Sequence, residues 1–156
     1  MISLKYNLTM TETELIVRAV AVEDGKILLC KNLIKGHYFL PGGHIEHNEL
    51  PEIALERELI EEIGRKIKKV KQVAEIKNSY ECNGETINEV FYVYLVILDD
   101  YVNIKSKEDH LEFDWVLIDE LKKINFKPKK AIKDILKNIE ANKDYLKSDS
   151  SNKIKY

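Results

Sequence analysis

The chain has 156 residues, a formal net charge of −2 at pH 7 and 33% charged residues. That length suits one domain with a substantial apolar core. The near-neutral charge argues against a dedicated nucleic-acid binder and against a long acidic tail. Two cysteines, Cys30 and Cys82, are too few for a disulfide framework, so we expect reduced thiols.

The N-terminal residues contain no apolar stretch of the signal-peptide kind. The longest apolar run, 90–98, is too short to cross a bilayer and suits a buried strand. We therefore expect a cytoplasmic protein with no membrane partner.

Alternating apolar runs and turn residues predict the elements in chain order. We predict strands at 15–22 and 26–31, a short extended segment at 38–40, a helix at 51–63, strands at 70–80, 89–98 and 113–118, and a helix at 128–146. Strands on both sides of a helix, followed by a second helix, predict an α/β sandwich with a central mixed sheet. We expect one domain over 1–146 and a polar, flexible tail over 147–156.

The helix at 51–63 carries the most informative pattern. Proline is tolerated in its first turn, and Gly64 suits a left-handed C-cap. The residues that we expect to pack inward are Ile53, Leu55, Leu59, Ile60 and Ile63. Because an α-helix turns about 100° per residue, Glu58, Glu61 and Glu62 share one outward-facing arc.

Three neighbouring carboxylates repel one another on a plain solvated helix. A hard divalent cation such as Mg²⁺ or Mn²⁺ reverses that effect, because it binds carboxylate oxygens. From the helix geometry alone, the three glutamates are equally well explained as a metal site and as part of a solvated helix surface.

The spacing from residue 43 to residue 65 resembles the Nudix box, G-x5-E-x7-R-E-U-x-E-E-x-G-U, in which U is a bulky apolar residue. The matching positions are Gly43, Glu49, Arg57, Glu58, Leu59, Glu61, Glu62 and Gly64. Arg65 departs from the pattern, and we expect Ile67 to supply the apolar packing instead. The lead-in at 38–43 and the segment at 112–121 are also similar to the family, so the likeness covers roughly 15–136.

The resemblance implies a Nudix-type α/β/α fold and a hydrolase that uses Mg²⁺ or Mn²⁺ to cleave a diphosphate linkage. It implies that Glu58, Glu61 and Glu62 bind the metal and that the Gly42 carbonyl joins them. Arg57 would orient a glutamate, and Glu49 would support the junction between loop and helix. Family members differ in the general base, so Glu58 and Glu112 are candidates here, with Glu108 ranked behind them.

The substrate implied by the resemblance is a small molecule, a nucleoside diphosphate linked to another group. Candidate substrate residues are Arg18, Tyr38 and the backbone at Gly43. For Arg18, a solvent-facing position on the strand is at least an equal alternative. For Tyr38, simple packing is the commoner role of a tyrosine in a strand. Two further functions stay open, namely a nucleotide sensor without catalysis and a hydrolase of capped RNA. We expect no nucleic-acid partner; a homodimer is open, because dimers are common in the family.

Overall fold

The computed structural model describes residues 12–147. This part of the chain contains eight strands and three α-helices, joined by loops and one 3-10 turn. The strands are β1 Thr13–Val20, β2 Val22–Glu23, β3 Lys26–Asn32, β4 Tyr38–Phe39, β5 Gly42–His44, β6 Ile67–Cys82, β7 Glu85–Leu98 and β8 Leu111–Leu117. The helices are α1 Pro51–Ile63, α2 Ala131–Ala141 and α3 Lys143–Lys147.

The strands form two four-stranded sheets. The first has the order β5-β1-β7-β6, and it is mixed because β1 runs parallel to β7 while the other pairs are antiparallel. In the second, β3 pairs antiparallel with β2, β4 and β8. The predicted mixed sheet with flanking helices is confirmed, and the antiparallel second sheet adds to it.

Alternation along the strands produces two apolar layers, one under each main helix. On β1, Val17 and Ala19 belong to the layer that contains α1. Ile16 and Val20 point the opposite way, into the layer that contains α2. The two helices therefore cover opposite faces of the strands.

Helix α1 has the predicted bounds and ends at Gly64, which adopts the left-handed conformation with φ 66°. The prediction that Ile53 and Ile60 pack inward is wrong, since they are 58% and 39% exposed. The buried arc is instead Ala54, Leu55, Leu59, Glu62 and Ile63. Only this arc faces β1 and β5, so Glu62, predicted to face outward, is also buried.

The C-terminal helix was predicted as one element at 128–146 and is two. Helix α2 begins three residues later than predicted, and Asn142 interrupts the helix with φ −122° and ψ 27°. Of the tail predicted at 147–156, only Lys147 lies within the described residues. No helix in the described part of the chain is long and apolar enough to span a membrane.

Candidate active site

Arg57, in the middle of α1, is the centre of a network of hydrogen bonds that joins the helix to the loop before it. Its Nε and Nη2 donate to the two carboxylate oxygens of Glu49, at 2.8 and 2.9 Å. Its Nη1 donates to Glu58 at 2.9 Å and to Glu61 at 3.4 Å, and Nη2 also reaches the carbonyl of His44 at 3.0 Å. Hydrogen bonds from Arg57 hold the pKa of Glu49 down at about 2. The guanidinium thus fixes both the approach loop and two carboxylates of the helix.

Glu62 is the buried carboxyl of the site, with only 5% of its surface exposed. One of its oxygens accepts a hydrogen bond from the Gly42 amide at 3.3 Å. Burial raises the pKa of Glu62 to about 8, against the opposing charge of Arg18 and with a further contribution from the Glu58 carboxylate. A buried acid that shares its surroundings with a second carboxylate is stabilised in its ionised form by a cation.

Glycine is required at two positions beside these carboxylates. Gly42 has φ +139°, and a Cβ there would overlap the carbonyl oxygen of Val17 on the neighbouring strand. At Gly43, a Cβ would instead occupy the space of the Glu58 carboxylate. The second glycine therefore gives Glu58 its place against the backbone of β5.

The donor set suits a hard divalent cation, because Glu58, Glu61 and Glu62 offer carboxylate oxygens from one helix. No three His, Cys, Asp or Glu side chains within residues 12–147 already converge as a ready metal site. Glu58 and Glu61 instead form ion pairs with Arg57. These residues suit a divalent cation because Glu62 is buried and the Glu58 charge lies near it. Both effects disfavour the ionised Glu62 carboxylate, and a bound cation would offset them.

The loop that follows β7 docks against the end of α1 and carries Glu108. The Lys107 amide donates to the Glu62 carbonyl at 2.9 Å. Arg65, which departs from the sequence pattern, donates to the carbonyls of Asp100 at 3.1 Å and Val102 at 2.6 Å. Ile67 packs against the apolar layer under α1, as expected. These contacts bring the exposed carboxylate of Glu108 close enough to Glu62 for its charge to raise the pKa of Glu62.

Glu112 is not brought to α1. Its neighbour Phe113 packs into the apolar layer under α1, so Glu112 projects from the opposite face of β8. It is exposed and lies opposite Lys31 on β3. Of the two candidate bases outside the helix, Glu108 is the one whose charge reaches Glu62.

Arg18 lies half-buried on the other face of the first sheet, along a narrow groove whose free space of about 10 Å³ holds about one water molecule. Six of the residues that line this groove are Arg18, Leu40, Ile76, Phe91, Phe126 and Lys127. The guanidinium donates to the Leu40 carbonyl at 3.2 Å and lies 5.1 Å from the Phe39 ring centre and 5.7 Å from that of Phe91. Burial lowers its pKa, and the charge of Glu62 opposes that shift, so Arg18 lies within electrostatic range of the Glu62 carboxylate.

Tyr38 is half-buried and packs against the apolar layer under α2. Its amide and carbonyl bond to Asn125 and Lys127, and the Lys31 ammonium lies 5.4 Å from its ring centre. Phe91 and Phe126 have no distinguishing signal in the sequence, because apolar residues in strands and loops are usually core. Phe91 could have been identified only from the pairing of β7 with the strand that carries Arg18, because that pairing puts both side chains on one face of the sheet.

Comparison with known proteins adds an independent result. A family model described as "NUDIX domain" matches residues 13–135. An ADP-ribose pyrophosphatase from Methanocaldococcus jannaschii is 33% identical over 126 residues, which cover 78% of this chain and 72% of that protein. An 8-oxo-dGTP diphosphatase from Buchnera aphidicola subsp. Schizaphis graminum is 30% identical over 115 residues, covering 71% of this chain and 82% of that protein.

Among solved structures, the MutT NUDIX hydrolase from Burkholderia pseudomallei superposes with a TM-score of 0.62 at 26% identity. The match covers 69% of this chain and 85% of that one. The similarity thus extends from the box to the fold that carries it.

Proposed function

The chain belongs to the Nudix hydrolase family, and from that premise we propose that it cleaves a diphosphate linkage in a nucleotide with water, using Mg²⁺ or Mn²⁺. Two relatives carry the names ADP-ribose pyrophosphatase and 8-oxo-dGTP diphosphatase, which supports the reaction class. The observation that carries the proposal is the buried Glu62 carboxyl beside Glu58, next to a groove that contains a guanidinium.

In this proposal Glu58, Glu61 and Glu62 hold the metal, and the Gly42 carbonyl adds a backbone oxygen. The bound ion would neutralise the diphosphate oxygens and lower the pKa of the attacking water. Arg57 positions Glu58 and Glu61 through its hydrogen bonds to both. Glu49 fixes Arg57 in turn by a bidentate contact.

Glu108 is our proposed general base, ahead of Glu58 and Glu112. It takes a proton from the attacking water onto a carboxylate oxygen. The loop contacts through Lys107 and Arg65 place it near Glu62, and its exposed side chain leaves room for water. Glu58 is held by Arg57, which makes it a better ligand than base.

The substrate in this proposal is a small nucleotide conjugate that binds beside Arg18, with Tyr38 as a further candidate contact. The Gly43 backbone allows a phosphate to approach closely. We also propose a cytoplasmic location, consistent with Cys30 and Cys82 both being unpaired; a homodimer stays a prediction.

The test is a panel of nucleoside triphosphates and nucleotide diphosphate conjugates, assayed with Mg²⁺ and with Mn²⁺ while the broken bond is identified. We expect turnover on at least one class, and loss of turnover in Glu61→Gln with an unchanged circular dichroism spectrum. Turnover on none of them would favour a nucleotide sensor, and near-normal turnover in Glu61→Gln would remove that residue from the metal site.

A further inference from the structure

Arg65 occupies the position at which the Nudix box has a bulky apolar residue. An apolar side chain just after a left-handed C-cap packs back on the last turn of its helix. Ile67 supplies apolar packing at this end of α1, and Arg65 is half-buried among backbone carbonyls. The departure from the box therefore replaces a contact within the helix by contacts to another segment, the β7–β8 loop at 99–110.

The guanidinium of Arg65 joins the β7–β8 loop to the C-terminus of α1. Its Nε donates to the Asp100 carbonyl at 3.1 Å, and Nη2 donates to the Val102 carbonyl at 2.6 Å. Its Nη1 donates to the carbonyls of Ile63 and Gly64 at the helix end, at 3.5 Å each. A planar guanidinium holds several acceptors in fixed directions, which the ammonium of a lysine does not. Arg65 therefore fixes the orientation of the loop relative to the helix.

A second attachment of the loop to α1 lies next to Glu108. The Lys107 amide donates to the Glu62 carbonyl at 2.9 Å, and only four residues separate Val102 from Lys107. A short segment between two fixed ends has little conformational freedom. The Ser106 hydroxyl restricts it further, because it accepts from the Glu108 amide at 3.0 Å and donates to the Glu108 carbonyl at 2.8 Å. The backbone of Glu108 is thus held against the helix that carries the box glutamates.

Other contacts secure the loop independently of Arg65. The Tyr101 hydroxyl accepts from the Leu98 amide at 3.1 Å, and the Tyr101 ring centre lies 5.9 Å from that of Trp115. Tyr101 and Ile104 also pack against the apolar layer under α1. Loss of the Arg65 guanidinium should therefore leave the loop docked and change the placement of its carboxylate rather than unfold the domain.

We propose, resting on the hydrolysis and on the general base proposed above, that Arg65 is a positioning residue for Glu108. A carboxylate removes a proton from water only within hydrogen-bond reach, about 2.6–3.2 Å between oxygens. In the proposed function the water is attacked beside the carboxylates of α1, so the reach of Glu108 depends on how the loop lies against that helix. Arg65 sets this placement through backbone contacts and acts on the reaction only through Glu108.

The kinetic test is Arg65→Leu, which restores the apolar residue of the box and removes the contacts to the loop. We expect kcat to fall by roughly 10-fold, as for a reacting group displaced by a fraction of an ångström. KM and Mn²⁺ affinity should change by no more than about twofold, because the substrate and metal contacts remain. Arg65→Lys should lie between Arg65→Leu and the wild type, since one ammonium can still reach a loop carbonyl.

A double-mutant cycle with Glu108→Gln separates positioning from a general structural effect. Once the proposed base is gone, misplacing it has no further consequence, so the effects of the two substitutions are not additive. In the Glu108→Gln background, Arg65→Leu should therefore lower kcat by no more than about twofold.

A second measurement needs neither substrate nor metal. Amide hydrogen exchange of Lys107 and Glu108, followed by NMR in EDTA, should be roughly 10-fold faster in Arg65→Leu, because local opening of the loop becomes easier. The amide of Leu59, in the buried arc of α1, should exchange as in the wild type.

Lys66→Leu is the matched control, because it removes a neighbouring positive charge and introduces the same side chain. Lys66 is exposed, and its contacts to Asp99 are made by its backbone amide and carbonyl. This variant should leave the exchange rates, kcat and KM unchanged.

Unchanged exchange at Lys107 and Glu108 in Arg65→Leu would overturn the proposal, with or without hydrolysis. An equal loss of kcat in the wild-type and Glu108→Gln backgrounds would overturn it too, because Arg65 would then act independently of Glu108. A loss of Mn²⁺ affinity would place the effect of Arg65 on the metal site instead. If the wild type hydrolyses none of the nucleotides in the panel, the proposed function itself fails, and faster exchange in Arg65→Leu would still establish the attachment of the loop.

Discussion

Replacing Glu62 by glutamine separates stability from function at this site. The folded-state pKa of Glu62 is about 8, compared with 4.5 for an ordinary glutamate. Between those values the unfolded chain releases a proton that the folded chain keeps, so the metal-free protein loses stability as pH rises from about 4.5 to about 8. At pH 7, about 2.5 units above the ordinary value, the cost is on the order of 3 kcal/mol at about 1.4 kcal/mol per unit. Glutamine, which stays neutral and can still accept from Gly42, removes that cost.

The assay is urea unfolding in EDTA at pH 5 and at pH 7. We expect Glu62→Gln to match the wild type at pH 5 and to exceed it at pH 7, while catalysing no hydrolysis. Added Mg²⁺ should stabilise the wild type more than the variant, because the variant has lost one of the three carboxylates proposed to bind the ion. A variant that is less stable than the wild type at pH 7, or a difference that does not depend on pH, would refute this reasoning.

Further substitutions distinguish the parts of the site. Gly43→Ala should weaken Mn²⁺ binding about tenfold, measured by titration, because the new methyl displaces the Glu58 carboxylate. Gly42→Ala should instead destabilise the fold by about 1–3 kcal/mol in thermal unfolding, because the strain is in the backbone. Arg57→Lys should lower kcat roughly 10- to 100-fold at saturating metal, since lysine cannot make the bidentate contact. Glu108→Gln should lower kcat by roughly 10²- to 10⁴-fold with Mn²⁺ affinity unchanged, and a loss of metal affinity instead would make Glu108 a ligand.

The box spacing located α1 to the residue, because glycine, proline and helix period all act locally. It did not locate the buried face of that helix. Which arc is buried depends on the strands opposite, and β1 and β5 enclose Glu62 while they leave Ile53 and Ile60 outside. Burying a carboxyl group is unfavourable for folding, so a method that assigns only apolar residues to the buried face places Glu62 on the exposed face.

The substrate side was less readable for a different reason. Phe91 belongs to a strand that the sequence marks only as extended, and its common face with Arg18 follows from the pairing of β1 with β7. That parallel pairing joins residues more than 70 positions apart, beyond the reach of local pattern. The ranking of Glu108 against Glu112 likewise depends on which face of β8 points towards α1.

The most direct test of metal-dependent diphosphate hydrolysis is turnover in ¹⁸O-labelled water, with mass analysis of the products. With Mg²⁺ present and the preferred nucleotide from the panel as substrate, we predict one ¹⁸O atom in a product phosphate for each bond broken, and no turnover in EDTA. Undiminished turnover in EDTA, or product phosphates without label, would contradict it.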